Sequence, residues 1–253
     1  MNFEQELETA VRLAEQAGAV ALEFQRRGIE AEIKPDESPV TAADKACERL
    51  IVEGLLKAFP GDGLLGEEGS NRDGERGRRW IIDPIDGTKD FLRGIPVWSI
   101  LIGLEQDGEV VAGVAHCPGQ NITARASRGG GAWIGAERLH VSHARDPHQG
   151  ILCFNGLHKA GVGMMGPRLL DWASKFWAVR GFGGCVDATL VAQGRADVWI
   201  EPNAAPWDLA PLKILIEEAG GKFASFAGDA SIYGGNAYAC APGLEAFVRT
   251  LVE

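Results

Sequence analysis

The sequence predicts an α+β fold whose second half changes to the alternating strands and helices of α/β proteins. Apolar residues recur every three or four positions in two N-terminal segments, which is typical of amphipathic helices. Short apolar runs separated by turn residues follow from residue 80 and indicate a largely antiparallel sheet. From about residue 150 strand and helix patterns alternate. We therefore expect an N-terminal half over residues 1–145 and a C-terminal half over residues 146–253.

Two helices are expected before the first long strand. The first carries its apolar residues on one face between Leu7 and Phe24, at the spacing of a helix that packs on a core. The second runs from Thr41 to about Ala58, and Pro60 ends it because proline cannot continue a helix.

A meander of strands is expected next. Trp80-Ile81-Ile82 is an apolar run typical of a buried strand. An Asp107-Gly108 pair between two apolar runs is a strong hairpin signal, because both residues tolerate the positive φ of a tight turn. The further strands of this half are expected at residues 97–104, 109–117, 122–127 and 132–141.

The second half is expected to alternate. Its strands are predicted at residues 177–182, 197–201, 222–226 and 236–240, and its helices at 185–193, 208–219 and 243–252. We expect the tryptophans at 98, 133, 177 and 199 to pack in the core. Residues 154–166 are rich in glycine and methionine, and either a mobile flap or a plain surface loop fits them.

The composition excludes several classes of protein. The 253 residues carry 25 Lys+Arg against 35 Asp+Glu, a formal net charge of −10, which argues against nucleic-acid or anionic-membrane binding. No apolar run is long enough to span a membrane. The five cysteines are scattered without a CxxC pair, so we expect reduced thiols and a cytoplasmic location.

The most informative segment follows the buried strand and reads Asp83-Pro84-Ile85-Asp86-Gly87-Thr88. Pro84 is expected to stop sheet pairing and stiffen the turn. Two carboxylates three residues apart can converge on one point, with the carbonyl of Ile85 between them. Gly87 and Thr88 would then open a short helix whose N–H groups suit an anion. Turn formation and helix capping are the alternative interpretation of such acids.

Three other acidic segments have equally ordinary alternatives. Glu67 lies in a Gly-Glu-Glu-Gly run after two leucines, where a solvated loop would also fit. Asp208 precedes an apolar helix and Asp44 follows Thr41 by three residues, so both fit helix caps. Together with the segment above, however, these acids would form a strongly negative, all-oxygen site. Close carboxylates repel unless protons or cations bridge them, and oxygen ligands suit Mg²⁺, with Mn²⁺ as a substitute.

Three separated motifs resemble the signatures of the inositol monophosphatase superfamily. They are Gly66-Glu67-Glu68, Asp83 to Thr88, and Trp207-Asp208 followed by a helix ending in Glu218-Ala-Gly-Gly221. The resemblance covers nearly the whole chain. It implies a layered αβαβα sandwich of the inositol monophosphatase/fructose-bisphosphatase type and a homodimer. It also implies a phosphomonoesterase that uses two or three Mg²⁺ ions and is inhibited by Li⁺.

The resemblance also assigns roles to individual residues. It implies that the metal ligands are Glu67, Asp83, the carbonyl of Ile85, Asp86 and Asp208. Gly87 and Thr88 would hold the phosphate. Thr88 would act with Asp44 to orient and deprotonate the attacking water, with help from Glu67. Glu201 and the backbone at Gly183 and Gly184 match positions that contact the substrate.

The resemblance implies a small phosphorylated metabolite as the substrate, and three branches of the superfamily are candidates. Lys89-Asp90-Phe91 stands where inositol-specific members usually read Thr-Asn-Phe. The Gly-x-Pro-x-Trp run at 94–98 looks more like the histidinol-phosphatase branch, which we rank first. Gly184 stands where that branch often has an acid, and a missing carboxylate weakens the case for a cationic amine substrate. Glu201 is the candidate to supply the counter-charge instead. Inositol-1-phosphate ranks second, and phosphoadenosine phosphate, suggested by the Lys-Asp-Phe run, ranks third.

Two other classes of function fit the sequence less well. A non-catalytic regulatory or binding protein of this fold would be expected to lack ligands, but every metal and water-activating position is filled. A P-loop kinase would need a GxxxxGK[ST] loop, and the sequence has none.

Overall fold

The structure is a computed structural model that describes residues 3–28, 31–33, 39–75, 77–157 and 166–252. Its helices are α1 Glu4–Arg27, α2 Ala42–Ala58, α3 Thr88–Arg93, α4 Gly166–Ala173, α5 Gly184–Ala192, α6 Pro206–Glu218 and α7 Glu245–Val252. Its strands are β1 Ala31–Ile33, β2 Pro39–Thr41, β3 Gly63–Gly66, β4 Asn71–Arg72, β5 Arg78–Asp86, β6 Ser99–Gln106, β7 Glu109–Cys117, β8 Ile122–Ser127, β9 Gly131–Ile134, β10 Glu137–Arg138, β11 Ile151–Phe154, β12 Ala178–Arg180, β13 Val198–Glu201, β14 Lys222–Ala224 and β15 Ala237–Cys240.

Eight strands form the first sheet, in the order β10-β9-β8-β7-β6-β5-β3-β4. Adjacent strands in this sheet run antiparallel, except that β3 and β5 run parallel to each other. The predicted hairpin is confirmed, since Asp107 and Gly108 both have positive φ (54° and 82°) between β6 and β7. The single strand predicted over 132–141 is wrong. A turn at residues 135–136 divides it into β9 and β10.

The second sheet has five strands in the order β12-β11-β13-β15-β14. β11 runs parallel to both β12 and β13, whereas β15 is antiparallel to its two neighbours. The strand and helix alternation predicted for this half is confirmed. The sequence prediction missed β11, a four-residue run that lies at the centre of the parallel part.

The predicted αβαβα layering is confirmed. Alternate residues of β5 face opposite layers, so that Ile82 packs with α1 and α2 while Ile81 packs with α5 and α6. The second sheet covers the far side of the α5–α6 layer, as the burial of Trp199 in the same core shows. Its other face packs against α4 and α7. The boundary proposed near residue 145 falls between the two sheets, but it remains a prediction.

Two glycines bring α6 close to the first sheet. A Cβ atom at Gly103 would lie 2.8 Å from the Cβ of Ala210, and one at Gly113 would lie 2.7 Å from the Cα of Pro211. Real Cβ atoms do not approach so closely, so a larger residue at either position would push the helix away. The close packing fixes the start of α6, which carries Asp208, relative to the strands.

Some predictions concern side chains or segments outside these layers. Trp98 and Trp199 are buried as expected, but Trp177 is 73% exposed, so its assignment to the core was wrong. It follows the turn after α4, at the edge strand of the second sheet. Most of the predicted flap or loop, residues 158–165, lies outside the described residues, as do residues 34–38. Of the helices described, none has the length and hydrophobicity of a membrane span.

Candidate active site

The site begins where β5 runs into α3. Pairing with β6 continues to Asp83, opposite Leu101, and resumes with Asp86 opposite Ser99 after a shift in register. The expectation that Pro84 ends the pairing is therefore wrong, because the strand accommodates Pro84 and Ile85 as an irregularity. Such bulges re-aim side chains. Here the backbone N–H of Ile85 donates to Oδ1 of Asp83 at 3.0 Å, which fixes that carboxylate.

Asp208 joins the two carboxylates of β5. One carboxylate oxygen from each of Asp83, Asp86 and Asp208 lies within 4.8 Å of the others. α6 begins two residues earlier than the sequence predicted, with Pro206 in its first turn. Asp208 Oδ2 accepts the N–H of Ala205 at 2.7 Å, so this side chain caps the helix and also faces the cluster. Asp83 and Asp208, which are 125 positions apart in the sequence, are thus brought to one point.

The charges of the cluster oppose one another. Burial, followed by the charges of Glu67 and Asp86, holds the pKa of Asp83 well above its ordinary value. Burial and the charge of Asp208 raise the pKa of Asp86 to about 7, although Ser99 Oγ and the N–H of Cys185 donate to it. Carboxylates that crowded need protons or cations between them.

Glu67 reaches the cluster from the end of β3. Its backbone N–H donates to the carbonyl of Ile82 at 3.1 Å, which ties the loop after β3 to β5. Its side chain is hydrogen-bonded to that of Asp83. The solvated-loop interpretation therefore does not describe this residue, because its carboxylate belongs to the acidic site.

Asp44 serves as a helix cap and faces the site at the same time. Its Oδ2 accepts the backbone N–H of Thr41 at 2.8 Å and the Thr41 hydroxyl at 2.5 Å, so the predicted capping box is confirmed. Its Oδ1 is buried and has no hydrogen-bond partner among the described residues. Burial raises the pKa of Asp44, and the charge of Glu67 adds to the effect. An orphaned buried oxygen beside a carboxylate cluster marks a position for a bound cation or water.

Gly87 and Thr88 form the turn between β5 and α3. Gly87 has φ +83°, a left-handed conformation that favours glycine. Its carbonyl accepts the N–H groups of Asp90 and Phe91, which starts the helix. The hydroxyl of Thr88 donates to the carbonyl of Ile85 at 3.2 Å. The resemblance implies that the carbonyl of Ile85 is a metal ligand and that the hydroxyl of Thr88 orients the attacking water. These two groups are thus in direct contact.

Glu201, Gly183 and Gly184 meet on another side of the cluster. Asn155 Nδ2 donates to Glu201 Oε2 at 2.6 Å, and a Cβ at Gly184 would lie 3.3 Å from the same oxygen. Gly183 precedes the first residue of α5. Burial, followed by the charges of Asp208 and Asp86, raises the pKa of Glu201 to about 8, so this buried carboxylate lies within the field of the acidic site.

Comparison with known proteins identifies the family. A profile described as the inositol monophosphatase family matches residues 2–252. A histidinol-phosphatase from Mycobacterium tuberculosis is 38% identical over 240 residues, 92% of each chain. An inositol-1-monophosphatase from Rhizobium meliloti is 38% identical over 77% of this chain and 75% of its own. The solved structure of the extragenic suppressor protein SuhB from Bartonella henselae superposes with a TM-score of 0.92 at 30% identity, covering 99% of both chains. The chain belongs to the inositol monophosphatase family.

As a member of this family the chain is a hydrolase of phosphate monoesters. The family depends on metal, and the residues present fit a divalent cation. Three carboxylates have oxygens within 4.8 Å of one another. Glu67 is hydrogen-bonded to Asp83, and Oδ1 of Asp44 is buried without a partner among the described residues. Together they offer hard oxygen ligands with an excess of negative charge.

Three residues of the site were missed from the sequence. Ser99, at the start of β6, donates to Asp86, and Asn155, directly after β11, donates to Glu201. No local sequence pattern marks either residue. Glu48, by contrast, follows Asp44 by four residues on α2. That spacing puts both carboxylates on one helix face, a signal that the sequence did contain.

Proposed function

We propose that this protein is a Mg²⁺-dependent phosphatase that hydrolyses a small, amine-bearing phosphate ester, with histidinol phosphate as the first candidate. The observation that carries the proposal is the cluster of Asp83, Asp86 and Asp208, whose oxygens lie within 4.8 Å of one another beside the Gly87–Thr88 turn. Inositol-1-phosphate is the second candidate and phosphoadenosine phosphate the third. A non-catalytic role is disfavoured because every proposed ligand position carries an oxygen donor.

The metal site would be built from Glu67, Asp83, the carbonyl of Ile85, Asp86 and Asp208. We propose that the site binds two or three Mg²⁺ ions and that Mn²⁺ can replace them. Li⁺ would displace Mg²⁺ or inhibit the enzyme. When bound, they would supply Lewis-acid stabilisation of phosphate oxygens and lower the pKa of water. Glu67, which is hydrogen-bonded to Asp83, would add a further negative charge to balance the bound cations.

The chain's own residues would orient the reaction. Gly87 and Thr88 would hold the phosphate at the start of α3, where N–H groups favour anions. Thr88 Oγ1 donates to the carbonyl of Ile85, which leaves its oxygen lone pairs available to accept a hydrogen bond from the attacking water and so to orient the other proton of that water, the one it loses. Asp44, with Oδ1 unpartnered among the described residues, would accept that proton as the general base, and Glu67 lies close enough to influence its pKa.

Two acids support an amine-bearing substrate. Glu201 is buried, with 5% exposure, and is held by a hydrogen bond from Asn155. A cationic amine on the substrate would give Glu201 a counter-charge, so that it would substitute for the acid absent at Gly184. Asp90 lines a cavity of about 720 Å³ with Gly183 and apolar side chains. Its Oδ2 lies 3.6 Å from where a Cβ of Gly87 would be, next to the proposed phosphate. An ammonium group close to the ester would meet Asp90.

We further propose a homodimer in the cytoplasm. An exposed apolar face is defined here as Leu157, Leu170, Trp177, Val179 and Phe182. All of these except Trp177 line one cavity, and Trp177 directly precedes the edge strand β12. Its side chains are 43–77% exposed, and contiguous apolar surface of this kind typically marks a protein interface. All five cysteines are free and buried, as expected in a reducing compartment.

Phosphate release from the three candidate esters, each with Mg²⁺ and with EDTA, tests the proposal. We expect turnover that EDTA abolishes and a preference for histidinol phosphate. Asp83→Asn should abolish turnover with the fold intact, whereas Asp73→Asn, on an exposed loop, should behave as wild type. Wild-type turnover in Asp83→Asn would refute the metal site. Release from none of the three esters would refute the substrate assignment.

A further inference from the structure

Glu48 is a buried carboxylate to which the proposed chemistry gives no role. It lies on α2 and is only 3% exposed. Its Oε2 accepts the backbone N–H of Glu68 at 2.8 Å, and its Oε1 accepts that of Ser70 at 3.0 Å. One carboxylate therefore binds the backbone on both sides of the turn that follows Glu67. Bonds of this charge-assisted type are about twice as strong as neutral ones.

The loop is shaped to receive this carboxylate. A Cβ at Gly66 would lie 2.6 Å from Oε2 and 2.9 Å from Oε1 of Glu48. Any side chain at residue 66 would therefore displace the carboxylate or the loop. Residues 66, 68 and 70 all contact Glu48, and the N–H of Glu67 between them is bound to Ile82.

We propose that Glu48 is a positioning residue that fixes Glu67 against Asp83 and thereby sets the metal affinity of the site. The inference rests on the proposed metal-dependent function. Glu48 lies four residues after Asp44 on the same helix, so α2 contributes one carboxylate to the site and a second that holds the neighbouring ligand loop. Groups that orient metal ligands typically change metal affinity or activity about 10–100-fold when they are mutated.

Two variants perturb this contact from opposite sides. Glu48→Gln keeps the shape of the side chain, but its amide nitrogen cannot accept an N–H, so one of the two loop bonds is lost. Gly66→Ala leaves Glu48 intact and forces the loop away from it. Glu53→Gln, on the exposed face of the same helix, removes the same charge without touching the loop and is the matched control.

The test measures Mn²⁺ binding by calorimetry and the melting temperature in EDTA, together with kcat and KM. We expect the Kd for Mn²⁺ to rise about tenfold or more in Glu48→Gln and Gly66→Ala, and Glu53→Gln to match wild type. A lower melting temperature with an unchanged Kd in Glu48→Gln would show a purely structural role and overturn this inference alone. A wild-type protein that binds no Mn²⁺ would overturn the proposed function and this inference with it. If Gly66→Ala does not fold, the Kd of Glu48→Gln decides.

Discussion

Removal of divalent metal should make the stability of this protein fall as the pH rises from 5 to 7. The pKa of Asp86 is raised from 3.8 to about 7 by burial and by the charge of Asp208. Because the folded state then binds the proton more tightly than the unfolded state, the contribution of Asp86 to stability is complete below pH 3.8. It is lost progressively as the pH rises through about 7.

The magnitude follows from the shift. Raising the pKa of Asp86 from 3.8 to about 7 corresponds to about 4 kcal/mol at about 1.36 kcal/mol per unit. This is an upper limit because solvent partly reaches the side chain. Between pH 5 and 7 the loss is about 2 kcal/mol, because a group with a pKa of about 7 is already half deprotonated at pH 7. At roughly 2–4 °C per kcal/mol for a chain of this size, the melting temperature should fall by roughly 4–9 °C.

Thermal melts followed by circular dichroism, in EDTA at constant ionic strength between pH 5 and 8, measure this slope. Asp86→Asn removes the titrating group and should flatten the slope, whereas Asp73→Asn should keep it. Saturating Mg²⁺ should stabilise the protein more at pH 7 than at pH 5, since metal binds the deprotonated carboxylates. A metal-free melting temperature that is constant or rises from pH 5 to 7 would refute the reasoning, as would an unchanged slope in Asp86→Asn.

Four further variants test other parts of the structure. Thr88→Ala should lower kcat by about 100-fold or more, and a change confined to KM would instead make it a binding residue. Asp90→Asn should lower kcat/KM for histidinol phosphate while sparing inositol-1-phosphate; equal losses for both would exclude a charge contact. Leu170→Glu, at a side chain 77% exposed, should convert the proposed dimer to a monomer in light scattering, and an unchanged dimeric mass would exclude that face. Gly113→Ala should cost about 1–3 kcal/mol by pushing α6 outward, seen as a lower melting temperature, whereas Gly61→Ala, with no contact closer than 3.6 Å, should be neutral.

The elements that could be predicted from the sequence are those long enough for their hydrophobic pattern to repeat several times. α1 spans 24 residues and α2 spans 17, so the apolar stripe repeats often enough to identify each. The missed strands β1, β2, β4 and β11 have two to four residues, which is too short for a hydrophobic pattern to repeat. α4, eight residues long, was missed for the same reason.

The identity of the acidic residues could be predicted, but their supporting contacts could not. Asp83 and Asp86 stand three residues apart at the end of a buried strand, a local pattern. Asn155 reaches Glu201 across 46 residues of sequence, and only the parallel pairing of β11 with β13 brings them together. The exposure of Trp177 could not be predicted either, because large aromatic side chains serve cores and interfaces alike.

The capping interpretation is confirmed for Asp44 and Asp208, and it is compatible with the role that we propose for each of them in the acidic site. Each acid accepts a backbone N–H at the start of its helix through Oδ2. The second oxygen is then held in a fixed direction, and in Asp44 it is buried without a partner among the described residues. A cap restrains its side chain more tightly than a solvated acid would be, because the helix backbone supplies the hydrogen bond. Capping therefore fixes the direction of both carboxylates, that of Asp208 within the acidic cluster and that of Asp44 in the field of Glu67. A residue that caps a helix beside an acidic cluster is a candidate site residue for that reason.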